Sequence, residues 1–256
     1  MSSLFDKNLI LYVGCCRIYG MRLDLVLVSR KLYSTRARAV AAIKAGLVTV
    51  NGKIAKKPSM DVADTDIVVG GELPYSVGRG SLKLAAALDA FDVNPMGYVC
   101  LDVGASTGGF TETLLGRDAA RVIAVDVGTN QLAESLRHDA RVTVLEQTDI
   151  RSLRPMRAVD LIVVDVSFIS LTNISDALAA WNAQKIIALI KPQFEVSRSI
   201  AARHGGVIKS ESDRQNAISM VVRNFEKVGY KQLGIIESPV RGGSGNVEYL
   251  LYCVRG

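Results

Sequence analysis

The sequence predicts an α/β protein: a Rossmann-like, doubly wound sheet of seven mostly parallel strands, preceded by a small α/β unit. Three observations predict it. Residues 99–110 run from an apolar strand through a glycine turn into a helix, the first half of a nucleotide-type βαβ unit. Beyond them, apolar strands alternate with helical stretches, the pattern of a parallel sheet covered on both faces. Ahead of them, residues 22–57 hold nine Lys/Arg and one acid, Asp24, in a chain of net charge +6. A basic segment joined to a nearly neutral body is the footprint of a nucleic-acid grip attached to an enzyme.

The 256 residues are enough for a real core, in one large domain or two unequal ones. With 49% hydrophobic and 22% charged residues, the composition is that of an ordinary globular protein. Cys15, Cys16, Cys100 and Cys253 form no C-x-x-C pair, and Cys100 and Cys253 fall in apolar strand patterns. Reduced core thiols and a cytoplasmic location are expected. Residues 9–14 are apolar but too short to span a bilayer, and Asp6 offsets Lys7 where a secretory signal would be positive. Residues 1–20 are expected to be a disordered extension, with Met21 the natural start; mass spectrometry of the native N-terminus checks this.

Residues 21–71 read as the small unit. Leu23, Leu25, Leu27 and Val28 begin a helix, and Ser34 is a candidate N-cap for a second helix over 35–45, which Gly46 ends. Residues 47–50, Asn51-Gly52 and Lys53-Ile54 read as strand, type I′ turn and strand, and 66–69 as a last strand. Arg36, Arg38 and Lys44 share a helix side, with Lys53, Lys56 and Lys57 in the hairpin. A solvated basic face is the plain alternative. Arg22-Leu-Asp24, Ser34-Thr-Arg-Ala-Arg-Ala and the run from Ile43 to Lys53 resemble the S4 RNA-binding domain, which makes these cations and Arg22 candidates for RNA.

Residues 70–80 contain four glycines and Pro74, so 72–80 read as a linker and 81–256 as the larger domain. Ser81 is expected to cap a helix over 82–91. The glycine turn then follows the strand ending at Asp102. A dinucleotide site wants a glycine where Ser106 stands, and Asp102 would repel a phosphate. A phosphate-free nucleoside carrying an ammonium and a sulfonium fits better: S-adenosylmethionine. Asp102 is expected to meet the ammonium and Gly104 to pack against the adenosine, with Ser106, Gly108, Gly109 and Phe110 completing the turn. Asp126 ends the next strand ~20 residues on, where ribose hydroxyls are expected. Asp149 is a candidate for the adenine edge; a loop carboxylate capping a turn is the equal alternative.

Strands follow at 141–145, 161–165, 185–190, 230–237 and 248–254, with helices over 171–181 and 212–228 and a polar, lid-like loop over 196–210. Ligands of such sheets bind beyond the carboxyl ends of the strands, where Asp102, Asp126, Asp165 and Lys191 stand. Pro192 holds Lys191 extended. The last strand follows a loop without a crossover helix, so it should run antiparallel and start, at Glu248, on that same edge. Lys83 can reach it from the preceding helix. Two lysines and two carboxylates in one cleft suit activation of a ribose 2′-hydroxyl. A lysine beside another cation and away from water serves as base, and the carboxylates hold the lysines in register. Amine methylation favours an Asp/Asn-Pro-Pro-aromatic turn where this chain has Asp165-Val-Ser-Phe168, and carbon-5 methylation of cytosine needs a cysteine in the cleft.

Gly80-Ser-Leu-Lys83, Asp102-Val-Gly-Ala-Ser-Thr-Gly-Gly-Phe110-Thr, Val164-Asp165-Val-Ser-Phe168-Ile-Ser, Leu189-Ile-Lys191-Pro-Gln-Phe-Glu195, His204-Gly-Gly-Val207 and Gly245-Asn-Val-Glu248 resemble the TlyA family, an S4 domain fused to an FtsJ-like methyltransferase. The resemblance covers nearly all of residues 21–256. It implies cytidine 2′-O-methylation of ribosomal RNA within a subunit or ribosome, and a Lys-Asp-Lys-Glu set matching Lys83, Asp165, Lys191 and Glu248, with Asp165 beside the cofactor as well. One departure is the linker, Tyr75-Ser-Val-Gly-Arg79 where the family reads close to Tyr-Val-Ser-Arg. The family also carries a haemolysin name, the main alternative beside a non-catalytic ribosome-assembly factor. No metal, no membrane partner and a monomer are expected.

Overall fold

The structure is a computed structural model that describes residues 21–33, 36–44, 46–71 and 79–256; nothing is described of the side chains of residues 37, 38 and 41. The expected tail over 1–20, the Ser34 cap, most of the linker and the Arg38 side chain lie outside the described residues. The chain divides into two compact units, one ending at residue 73 and one beginning at residue 74.

In the first unit, strand β1 (Met21–Arg22) leads into helix α1 (Leu23–Ser29) and helix α2 (Arg36–Lys44). Strand β2 (Val48–Val50) turns through Asn51 and Gly52 into β3 (Lys53–Ile54). Both turn residues have positive φ, 50° and 77°, as a type I′ turn requires. Two further strands follow, β4 (Asp61–Val62), which pairs with β1, and β5 (Val68–Gly70), which pairs with β2. The β1–β4 pair has no period-2 pattern long enough to be read in sequence. Leu23, Leu27, Ala39, Ile43 and Val48 form the buried core.

The second unit opens with helix α3 (Arg79–Ala90), earlier than the sequence suggests. Ser81 therefore lies within the helix, and its hydroxyl donates to the Gly109 carbonyl (3.0 Å) instead of capping. Strand β6 (Val99–Val103), helix α4 (Gly109–Gly116), strand β7 (Arg121–Val125), helix α5 (Glu134–Arg137), strand β8 (Val142–Leu145) and strand β9 (Leu161–Val164) come next. The helix expected over 171–181 is a 3-10 turn (Leu171–Asn173) followed by α6 (Ser175–Ala180). Strand β10 (Lys185–Ile190) runs into short helix α7 (Pro192–Glu195). The expected polar loop contains α8 (Arg198–Arg203), whose first turn is capped by the Ser197 hydroxyl. Helix α9 (Glu211–Lys227) and strands β11 (Tyr230–Glu237) and β12 (Tyr249–Arg255) complete the unit.

The seven strands lie in the order β8-β7-β6-β9-β10-β12-β11. β6 to β10 pair in parallel, and β12 runs antiparallel to both neighbours, as the missing crossover helix predicts. The inner strands β6, β9 and β10 are largely apolar on both sides, because each face is buried. One face packs Leu101, Ile162, Leu178 and Phe225; the other packs Leu84, Leu88, Leu114 and Leu250.

Candidate active site

The β10–β12 ladder sets Ile190 opposite Tyr249. One step further, Lys191 and Glu248 leave the sheet together at the edge where β6 and β9 end. Lys191 is extended (φ −113°, ψ 96°) because Pro192 follows it, so its side chain stays on the strand's course. Its Nζ lies 2.7 Å from Asp165 Oδ1 and donates to Ser167 Oγ at 2.7 Å. Lys83 reaches in from α3 and donates to Glu248 Oε2 at 2.6 Å. Lys83, Lys191 and Glu248 are each less than a tenth exposed. Two ammonium–carboxylate pairs thus stand in one cavity of about 580 Å³, which the glycine turn also lines through Gly104, Ser106, Gly109 and Phe110.

The glycine turn shows why its residues are small. A Cβ on Gly104 (φ 85°) would lie 2.5 Å from the Asp165 carbonyl oxygen, so this glycine lets the ends of β6 and β9 meet. Gly104 also lines the cavity, the side on which adenosine is expected. Gly108 (φ 99°) caps α4, and a Cβ there would strike Leu136. Asp102 does not reach the cavity surface. It is fully buried, with Oδ2 accepting from the Thr111 hydroxyl at 2.6 Å and Oδ1 without a partner. Burial, opposed by the Thr111 bond, pushes its carboxyl up to about 7.

Asp126 accepts from the Ser106 and Gly128 backbone N–H groups (2.8 and 2.7 Å), which fixes it beside the turn with lone pairs to spare. Asp149 is taken up by the Arg151 guanidinium and N–H, the turn-capping alternative. Neither lines the cavity. Sequence reasoning passed over several groups. Ser167 holds Lys191. Glu195 is buried and accepts from Ser170 Oγ and the Leu171 N–H, tying the loop after β9 to α7. Phe168 is 91% exposed with φ 65°, and its ring packs on Phe194 (5.2 Å) at the cavity rim. Its side chain type was legible; its positive φ was not.

In the first unit, the Asp24 carboxylate is buried and accepts from Arg22 and from Arg36 Nε (2.8 Å). Hydrogen bonding to Arg22, opposed by burial, holds its carboxyl down at about 2. Lys44, Lys53, Lys56 and Lys57 are exposed. Arg22, Arg36 and Lys44 border one concave surface with Val40 and Pro58.

Residues 76–255 match the FtsJ-like methyltransferase family, and residues 21–68 match the S4 domain. The chain belongs to the FtsJ-like methyltransferases. It is an S4-domain member of that family. The Mycobacterium tuberculosis protein named 16S/23S rRNA (cytidine-2'-O)-methyltransferase TlyA is 45% identical over 239 residues, 90% of this chain and 88% of that one. A Brachyspira hyodysenteriae protein named Hemolysin A is 36% identical over 91% of this chain and the whole of its own. A solved structure from Streptococcus thermophilus, described provisionally as a hemolysin, is 36% identical with a TM-score of 0.68 over 92% of this chain and 88% of its own. A Mesorhizobium loti S-adenosylmethionine dependent methyltransferase, 13% identical, shares the methyltransferase fold at a TM-score of 0.51 over 70% of this chain and all of its own. Among the described residues, no helix of this methyltransferase is long and apolar enough to cross a membrane.

Proposed function

We propose that this methyltransferase transfers a methyl group from S-adenosylmethionine to the 2′-oxygen of a cytidine ribose in ribosomal RNA. The observation that carries the reading is the convergence of the Lys83–Glu248 and Lys191–Asp165 pairs on the cavity floored by the glycine turn. The TlyA names of the relatives support the substrate. The turn is flanked by the carboxylates of Asp126 and Asp165, which suits a cationic nucleoside. Ser106, Gly108, Gly109 and Phe110 would hold that cofactor, and Asp126 its ribose. When bound it supplies an electrophilic methyl on a sulfonium.

The chain's own groups do the rest. A 2′-hydroxyl is a weak nucleophile and loses its proton as the new C–O bond forms. Lys191, held by Asp165 and Ser167, directs its remaining hydrogen-bonding capacity at the hydroxyl and, as the amine, accepts that proton. The Lys83–Glu248 pair stands in the same cavity and adds a second ammonium–carboxylate pair to the wall around the hydroxyl. Holding hydroxyl and methyl in line removes much of the barrier. Exposed Phe168, packed on Phe194, gives an unstacked base a platform. The S4 domain binds the RNA through Arg22, Arg36, Arg38, Lys44, Lys53, Lys56 and Lys57. That substrate places the protein with ribosomes in the cytoplasm. Both buried thiols are unsuited to carbon-5 chemistry: burial pushes Cys100 and Cys253 up to about 12.

Mass mapping of ribosomal RNA after incubation with protein and S-adenosylmethionine tests the reading. A 14-Da gain on a cytidine ribose is expected, absent with Lys191→Ala although that variant still binds cofactor. Methylation of a base, or of none of the RNA, would overturn it. Leakage from dye-loaded liposomes checks the hemolysin name, and none is expected.

A further inference from the structure

The loop between β11 and β12 does more than connect them. Its base is closed where the Ser238 N–H donates to the Glu248 carbonyl at 2.8 Å. It then folds back so that Gly242 covers the Glu248 carboxylate. A Cβ on Gly242 would lie 2.4 Å from Glu248 Oε1 and 3.1 Å from Cδ. The backbone of Gly242 is not in the left-handed region, so conformation is no reason for a glycine here. Space for the carboxylate is the reason.

The fold-back is anchored. The Gly242 N–H donates to the Asn246 carbonyl (2.9 Å), and the Gly245 N–H to the Gly242 carbonyl (2.9 Å). Asn246 is 1% exposed and uses both ends of its amide: Nδ2 donates to the Gly206 carbonyl and Oδ1 accepts from the Ile208 N–H, each at 2.8 Å. Gly206 and Asn246 both line the cavity. The loop is thereby pinned to the segment after α8, and a side chain at position 242 cannot be relieved by shifting the loop. The atom free to yield is the carboxylate.

We propose that Gly242 is a positioning residue for the reaction: its missing side chain leaves the one place in which the Glu248 carboxylate can lie against Lys83 under a pinned loop. The proposal rests on the reading of Glu248 as part of the site. It separates two things an ordinary turn glycine would join, because the fold tolerates a methyl group at 242 while the pair does not.

The test is Gly242→Ala, read in two ways. With full-length protein and ribosomal RNA, kcat should fall roughly a hundredfold, the cost of a misplaced catalytic group, with KM for RNA within about twofold. The melting temperature should fall in the wild-type background but not in Lys83→Met/Glu248→Ala, where no carboxylate obstructs the methyl and no ammonium is stranded. Equal falls in both backgrounds would overturn the proposal. So would an unimpaired Gly242→Ala beside an impaired Glu248→Gln. A fully active Glu248→Gln would instead sink the reading of Glu248 itself, and the positioning role with it.

Discussion

Lys83 and Glu248 lie 165 positions apart in the chain, yet Nζ and Oε2 are 2.6 Å apart in the interior. Both side chains are under a tenth exposed. Removing one partner strands the other's charge. Glu248→Ala is expected to lower stability by ~3–5 kcal/mol, and Lys83→Met in the same chain to restore part of it. Methylation should stay lost in both. Chemical denaturation and a methyl-transfer assay check the two halves; a double variant no more stable than the single one would count against the buried pair.

Lys191 differs from Lys83 in having a hydroxyl partner as well as a carboxylate. Ser167→Ala removes one of its two anchors and leaves Asp165 in place. Activity is expected to drop by about tenfold, in kcat more than in KM, as for loss of one hydrogen bond of ~1 kcal/mol or somewhat more. An unchanged kcat would show that Asp165 alone orients the lysine.

Asp102 makes stability depend on pH in an unusual direction. Its carboxyl titrates at about 7 when folded against the ordinary 3.8. Between those values the folded chain holds a proton that the unfolded chain has lost. This group's stabilisation is therefore full below pH ~4 and drains away as pH rises to ~7, by at most ~1.4 kcal/mol per pH unit. Asp102→Asn should flatten that slope. Melting curves of ligand-free protein from pH 5 to 8 compare the two; parallel slopes would contradict the burial argument.

Asp24 works the other way. Its carboxyl is held down at about 2 against 3.8, so its stabilisation is present above pH ~4 and lost as pH falls toward 2. Asp24→Asn is expected to destabilise the S4 unit at pH 7 and to match the wild type near pH 2, as followed by acid unfolding.

The exposed lysines of the S4 unit should act on RNA through charge alone. Lys44→Ala with Lys53→Ala is expected to weaken binding and to lower the slope of log affinity against log salt by about one for each phosphate no longer neutralised. A filter-binding series over salt concentration reads this directly, and an unaltered slope would remove these two residues from the RNA surface.

Much of this protein was legible one residue at a time. The alternation of apolar strands with helices gave the sheet. Pro192 put Lys191 in extended backbone, the absence of a crossover helix turned β12 around, and Asn51-Gly52 made the hairpin. These are local effects, set by a residue's own backbone and its near neighbours. Other features needed the fold. Which lysine meets which carboxylate depends on where α3 crosses the sheet. Gly104 and Gly242 are small because of Asp165 and Glu248, neither of which adjoins them in the chain. Asp102 looks like an exposed strand end and is fully buried, because Thr111 and the turn close over it. Burial and proximity belong to the packed chain, and no pattern within a single segment encodes them.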